Sequence, residues 1–202
     1  MAKVVIQLSA EDFGTMIIRE ASRFIGLREV KPNAEWDNPS TPGPDTALVK
    51  ELRELMRPTP WEEGWSYCAA FCEAMVRRTL QRVAATREES QRFLSVMGPG
   101  VRASFNAFKE RKLTTPTPVP GAIWFARHGN TEKGHAGIVT SISIASQQMS
   151  TVEANTSLDS RDPAKDREGD WITTRTFMAK GRGDLVTLGF VTPRAICNLV
   201  FG

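Results

Sequence analysis

Apolar residues in the first half of the chain recur every three or four positions, which is the spacing of one helical face. The first such face is formed by Phe13, Ile17, Ala21 and Phe24. Ser9 and Asp12 resemble a capping box at its start, although Asp stands where Glu is preferred, and Gly26 can end the helix. The pattern therefore predicts a first helix between about residues 9 and 26.

A polar stretch rich in Pro, Asn and Gly, residues 31–44, predicts a loop after this helix. Asp45 can cap a second helix, and Pro58 can end it. The apolar face of that helix is formed by Leu48, Leu52 and Leu55.

A third helix is predicted from Cys68 to about Val83. Thr86 and Glu89 form a capping box for a fourth helix, which the segment 98–100 (Gly-Pro-Gly) breaks. Apolar positions of this helix and of the short segment after it are Phe93, Met97, Phe105 and Phe108.

The Pro-rich segment 114–120 cannot continue a helix, and the pattern beyond it is that of strands. Strands are predicted at residues 122–126, 135–144, 150–155, 171–177 and 185–191. In the second of them the alternation places Ile138, Ile142 and Ile144 on one side. Helices first and a meandering sheet second is the pattern of an α+β fold, in which N-terminal helices pack on a C-terminal antiparallel sheet. We expect one domain over residues 1–202, with a helical insert at about residues 84–115.

Composition makes the chain ordinary for a globular protein, with 41% apolar and 24% charged residues. The net charge of +3 permits attraction to an anionic polymer but does not require it, and we expect no nucleic-acid partner. No apolar stretch reaches the ~18 residues that would cross a membrane, so no membrane partner is expected either. The N-terminus lacks the apolar core of a signal peptide, which predicts synthesis in the cytoplasm. The absence of heptads or a long apolar stripe favours a monomer.

The three cysteines are an odd number, which argues against a disulfide framework. Cys197 lies in an apolar stretch and is expected to be buried. Cys68 and Cys72 are one helical turn apart, and with His135 they are a conceivable zinc site. No second pair at ligand spacing supports it, so we expect no metal and no cofactor.

The residues that can perform chemistry are Cys68, His135 and the pair Glu153 and Asn155. Cys68 opens a helix, where free N–H groups and the helix dipole favour a thiolate. His135 opens a strand among small residues. Glu153 and Asn155 are two apart on a strand, so both are expected on one face, and either can orient an imidazole. A thiol, an imidazole and an orienting group are the parts of a cysteine nucleophile site.

Three segments resemble the motif blocks of the CHAP family, the cysteine, histidine-dependent amidohydrolases/peptidases of the papain-like superfamily. They are Tyr-Cys-Ala-Ala-Phe (67–71), Gly-His-Ala-Gly-Ile-Val (134–139) and Val-Glu-Ala-Asn-Thr (152–156). Weaker similarity extends to residues 25–30, 36–39, 118–125 and 188–193. The resemblance implies a papain-like fold with Cys68 as nucleophile, His135 as base and acid, Glu153 as the orienting group and Asn155 as a second polar group. One departure is Gly121-Ala122, where the family strand usually reads Gly-Asp.

The resemblance also implies a peptidoglycan hydrolase that cleaves an amide of the stem peptide or cross-bridge through a thioester. Such an enzyme would be an N-acetylmuramoyl-L-alanine amidase or an endopeptidase, with peptidoglycan as partner and no cofactor. Without a signal peptide, it would reach the bacterial cell wall as a phage endolysin after release or as a secreted toxin after export. An immunity protein is a further partner to consider in the toxin case.

Two alternatives remain open at the level of sequence. A papain-like acyltransferase or isopeptidase would use the same nucleophilic attack by the thiol on another substrate. A non-catalytic cell-wall-binding module would use the helical insert or a basic face, and we expect a solvated helical face at Arg77, Arg78, Arg82, Arg87 and Arg92. Aromatic side chains near the three blocks are Trp61, Trp65 and Trp124. Such side chains can pack against sugar or peptide, although we expect two of the three to pack in the core or at the rim of the site.

Overall fold

The computed structural model describes residues 8–27, 46–56, 65–156 and 171–202. The helices are α1 Ala10–Ser22, α2 Thr46–Met56, α3 Cys68–Arg82, α4 Arg87–Leu94, α5 Val101–Glu110 and α6 Pro193–Phe201. The strands are β1 Ile123–His128, β2 Gly134–Ser143, β3 Gln148–Thr156, β4 Trp171–Met178, β5 Gly181–Arg182 and β6 Leu185–Val191. The predicted loop at 31–44, the cap Asp45, Pro58 and Trp61 lie outside the described residues, as does the similarity at 36–39.

The strands form one antiparallel sheet in the order β4-β3-β2-β1-β6-β5. The α+β class predicted from the sequence is therefore confirmed. The sheet is curled, so that Arg182 of β5 lies over the ring of Phe177 of β4, 4.9 Å from its centroid, although these strands stand at opposite ends of the order.

Alternating side chains divide the sheet between two apolar clusters. Ile123 and Phe125 of β1 belong to the main core, together with buried residues of α1 and α3. Trp124 of β1 belongs to a second cluster on the other face, where it packs on Phe177 with ring centroids 4.9 Å apart. A strand buried on both faces explains why β1 reads as a continuous apolar run.

Local capping chemistry sets several helix boundaries as the sequence predicts. Thr86 accepts from the backbone N–H of Glu89, whose side chain accepts from the backbone of Thr86, so the predicted capping box is present. Ser9 caps α1 through the N–H of Asp12. The predicted span of the third helix agrees with α3 to within one residue.

The C-terminal helix α6 was not predicted. Thr192 caps it by accepting from the N–H of Ala195, and Pro193 occupies the first turn, where its missing N–H costs nothing. Both signals are present in the sequence, and the predicted last strand ended at them. The structure thus adds a helix after the sheet to the predicted N-terminal ones.

The predicted alternation along β2 is wrong at its end. Ile138 is buried, whereas Ile142 is 37% exposed and Ile144, beyond the strand, is 87% exposed. The pairing of β2 with β3 shifts register between Val139 and Ser141, so the period of two does not persist across the bulge.

The predicted solvated arginine face is wrong at Arg77. Its side chain is buried, and its Nε donates to Oε1 of fully buried Glu73 at 2.9 Å. Burial raises the pKa of Glu73 to about 7, although the charge of Arg77 opposes the shift. Arg82 forms an ion pair with Glu20, which is also buried.

A close approach of two backbones joins α1 to the start of the sheet. Gly121 has φ +80, and a Cβ there would lie 2.3 Å from the Cα of Gly14. The next residue, Ala122, is buried in the second apolar cluster. An aspartate, which the family pattern places there, would put a charge into that cluster, so alanine suits the packing.

We expect Gly121→Ala to lower the free energy of unfolding by about 3 kcal/mol or more, because its methyl group forces α1 away from the sheet. Gly129→Ala is the matched control, since Gly129 also has positive φ but has open space around its Cβ position. Its cost should be about 1 kcal/mol. Urea unfolding of both variants measures the difference, and equal costs would contradict the packing argument.

Glu73 should make stability depend on pH. The pKa of Glu73 in the folded state, about 7, lies above the ordinary 4.5. Its contribution to the free energy of unfolding is therefore complete at low pH and is lost as pH rises through 7. We expect wild type to lose about 3 kcal/mol relative to Glu73→Gln between about pH 5 and about pH 8. Urea unfolding across this range measures it, and parallel pH profiles for both proteins would rule it out.

Candidate active site

The antiparallel register brings His135 and Glu153 together. His135 and Gly137 lie on one face of β2, and Gly137 pairs with Glu153 of β3. A Cβ at Gly137 would lie 2.8 Å from the Cγ of Glu153, so only glycine at this position of β2 leaves room for the Glu153 side chain on the adjacent strand β3. Gly137, the second glycine of the Gly-His-Ala-Gly block, is therefore required by the position of the Glu153 side chain.

The buried imidazole of His135 links a carboxylate to a thiol. Nε2 of His135 donates to Oε2 of Glu153 at 2.8 Å. Cys68, the first residue of α3, interacts with the other side of the imidazole, and Nδ1 is the ring nitrogen left to exchange a proton with its thiol. Backbone N–H groups of Ala69 and Ala136 face the sulfur as well. Cys68, His135 and Glu153 thus form a series of interacting groups, in which His135 donates to Glu153 and its charge acts on Cys68.

This environment favours a thiolate and an imidazolium. Burial by itself would raise the pKa of Cys68, but its interaction with His135 and the imidazolium charge hold that pKa below the ordinary value. Burial by itself would lower the pKa of His135, but Cys68 and Glu153 raise it to about 9. The pKa of Glu153 falls to about 2 despite burial, because His135 and Arg182 stabilise its charged form.

The structure places Asn155 differently from Glu153. Asn155 is buried with φ 57, in the left-handed region, where β3 shifts register against β4 between Glu153 and Thr156. Its Oδ1 has no hydrogen-bond partner among the described residues. The sequence left both residues as candidates to orient the imidazole, and in the structure it is Glu153 that accepts the hydrogen bond from His135.

Two residues at the site, Thr151 and Arg182, were missed by the sequence analysis. Thr151 donates to Oε1 of Glu153 at 2.6 Å, and Arg182 donates to both carboxylate oxygens at 2.9 and 2.8 Å. Trp124, which was selected from the sequence as an aromatic residue near the blocks, is fully buried, and its ring meets the imidazole of His135 edge-on, with centroids 5.9 Å apart. Strand alternation from Glu153 could have identified Thr151, whereas nothing near Arg182 in the sequence indicates a partner 29 positions away.

The other cysteines lie in environments that oppose ionisation. Burial, together with the negative charges of Cys68 and Glu153, raises the pKa of Cys72 well above its ordinary value. Burial also raises the pKa of half-buried Cys197. Within the described ranges no group of three His, Cys, Asp or Glu side chains could hold a metal ion, so Cys68, Cys72 and His135 are not arranged as zinc ligands.

Comparisons with protein-family models, curated proteins and solved structures find no match for this chain. In the part of the chain that the structure describes, no helix is long and apolar enough to span a membrane.

We expect alkylation by iodoacetamide to modify Cys68 well below pH 9, because the thiolate is the reactive form and its pKa is depressed. His135→Ala should remove this advantage and slow the reaction at neutral pH by about tenfold for each unit by which the pKa rises. Peptide mapping by mass spectrometry measures the rate at each pH. Cys72 and Cys197 serve as internal controls, and a Cys68 that reacted no faster than these would contradict the thiolate assignment.

Proposed function

We propose that this protein is a peptidoglycan hydrolase that cleaves an amide bond through the thiolate of Cys68. The observation that supports the chemistry is the series of interacting groups at the start of α3, in which His135 lies between the thiol of Cys68 and the carboxylate of Glu153. A nucleophile, its base and a group that orients the base are the parts that thiol-dependent acyl transfer needs.

In the first half of the reaction, the Cys68 thiolate attacks the amide carbonyl carbon and forms a C–S bond. The negative charge passes to the carbonyl oxygen, for which the first-turn N–H groups of α3 are the available donors, since its N-cap Tyr67 provides no side-chain cap. The C–N bond then breaks, and the imidazolium of His135 gives its proton to the leaving amine. A thioester on Cys68 and a neutral imidazole remain.

In the second half, His135 removes a proton from water as the water oxygen attacks the thioester carbonyl. The C–S bond breaks, the carboxylic acid leaves, and the thiolate–imidazolium pair is restored. Glu153 keeps Nε2 of His135 protonated throughout, so that the other nitrogen remains the one that exchanges protons with Cys68, amine and water.

The substrate class rests on the resemblance of the three sequence blocks to the CHAP family. Two features agree with that assignment. A helix that begins with the thiol packs on an antiparallel sheet that contributes the imidazole, which is the arrangement of a papain-like site. Trp65, three residues before Cys68, is 48% exposed and offers an aromatic face to a sugar or peptide. We propose that the protein acts on the bacterial wall as an endolysin or secreted toxin.

Purified peptidoglycan digested with wild-type protein should release soluble fragments whose masses identify the amide that is cut. Cys68→Ala should lower the rate of release by at least about a thousandfold, since removal of the nucleophile removes the covalent pathway. Cys72→Ala is the matched control, because it removes a neighbouring buried thiol and should leave most activity. Mass spectrometry of the fragments provides both the rate and the bond.

An added amine acceptor separates hydrolysis from acyl transfer in the same assay. Free carboxyl products support the proposed hydrolase, whereas products joined to the amine would replace it with an acyltransferase. The absence of fragments from several wall chemotypes would overturn peptidoglycan as the substrate. Wild-type wall binding by Cys68→Ala, in that event, would favour a binding module.

A further inference from the structure

The carboxylate of Glu153 is fully buried and its hydrogen-bonding capacity is used completely. Oε1 accepts from Thr151 and from Nη1 of Arg182, and Oε2 accepts from His135 and from Nη2 of Arg182. Each oxygen therefore receives two donors, and two of the four come from one guanidinium. The parallel pair of bonds is the strongest geometry in which arginine holds a carboxylate.

Arg182 is itself held in one position. Its guanidinium stacks over the ring of Phe177 and lies 3.5 Å from Oγ1 of Thr156. The side chain is 16% exposed, so the ion pair with Glu153 is largely removed from water. Gly181 has φ +130, and a Cβ there would lie 2.0 Å from the carbonyl oxygen of Leu185. The short strand β5 thus presents Arg182 to Glu153 through a turn that requires glycine beside it.

The protonation state of His135 makes this pairing important. The groups that act directly on the charge of Glu153 or His135 are Cys68 of α3 and Arg182 of β5, and Cys72 of α3 lies close to both Cys68 and Glu153. Arg175 of β4 pairs with Thr151 and so stands on the same face of the sheet as Glu153. Cys72 is neutral, so thiolate, imidazolium, carboxylate and guanidinium sum to zero charge. After acylation the sulfur and the imidazole are both neutral, and carboxylate with guanidinium again sum to zero. Without Arg182 the buried site would have a net negative charge at both stages, which is costly at this depth.

We propose that Arg182 is a positioning residue, which holds the Glu153 carboxylate ionised and in a fixed orientation while His135 gains and loses its proton. This inference rests on the proposed thiol chemistry, but it does not depend on which amide is cut. Arg182 acts through Glu153 and does not contact the substrate. A lysine would supply the charge without the two parallel bonds, so charge and orientation can be separated by substitution.

The test uses the pH profile of Cys68 alkylation by iodoacetamide in the full chain. Arg182→Met should raise the apparent pKa of Cys68 by about one unit or more. If Glu153 stays ionised, its unbalanced charge opposes the thiolate. If Glu153 becomes protonated instead, the imidazolium that stabilises the thiolate is lost, so the direction is the same. Arg182→Lys should shift this pKa much less and yet lower kcat on peptidoglycan, with little change in KM.

Arg102→Met is the matched control, because Arg102 is paired with Glu132, which is exposed at the surface, and contacts no residue of the site. Its alkylation profile should match that of wild type. A folded Arg182→Met protein with a wild-type profile and wild-type turnover would overturn the inference. So would a shift of equal size in Arg102→Met, which would assign the effect to net charge.

A double variant keeps the test decisive if Arg182→Met does not fold. Glu153→Gln combined with Arg182→Met has no buried charge at either position, and its reference is the single variant Glu153→Gln. If Arg182 acts through Glu153, the substitution Arg182→Met should shift the Cys68 pKa much less in the Glu153→Gln protein than in wild type. The expected shift in the Glu153→Gln protein is less than half of the shift in wild type. If Arg182→Met alone does not fold, the Cys68 pKa of the double variant should lie within about half a unit of its value in Glu153→Gln.

A larger shift between the double variant and its reference would overturn the route through Glu153. Failure to cut peptidoglycan, with the expected shifts intact, would remove the substrate assignment and leave the inference standing.

Discussion

The structure around the site depends on a charged carboxylate kept away from water. Burying an ion is costly unless its charge and its hydrogen-bonding capacity are both satisfied, and at Glu153 both are. Thr151 of the same strand contributes one donor, and the rest of the arrangement draws on three other strands. These are β2 with His135, β5 with Arg182, and β4 with Phe177 beneath the guanidinium. The curl of the sheet makes this arrangement possible, because a flat sheet of this order would leave β5 far from β3.

Small residues let the elements approach closely enough for this arrangement. Gly137 leaves space for the Glu153 side chain, and Gly121 allows α1 to lie against the start of β1. The two faces of the sheet are then used differently. One face packs on the helices, among them α3 with Cys68, and the other encloses Trp124 together with the polar residues of the site. The thiol reaches the imidazole from the end of α3, where the dipole and the free N–H groups favour its charged form.

Much of the fold and part of the site could be predicted from the sequence, because their signals are local. Helical periodicity defines α3 to within one residue, and the run Leu185–Val191 is a strand as predicted. The Thr86–Glu89 box defines the start of α4, although the helix ends at Leu94, before the predicted position Met97. Cys68 and His135 could be selected because chemistry restricts the residue types and the chain has few thiols and imidazoles, whereas Glu153 was selected only together with Asn155. Failures occurred where a local rule was interrupted, as at the bulge that exposes Ile142, or where a cap was overlooked, as at α6.

The sequence by itself determined most of the helices and strands, though not α6 or β5, and which side chains can act as nucleophile and base, since these depend on spacing and on residue chemistry. Tertiary structure alone decided the partners. Arg77 looks like a surface arginine, and only packing of α3 shows it buried beside Glu73. Glu153 and Asn155 were equivalent by alternation, and the register shift after Glu153 separates them. Arg182 meets Glu153 only because the sheet curls, and a contact across strands distant in the sheet leaves no periodic trace in the chain.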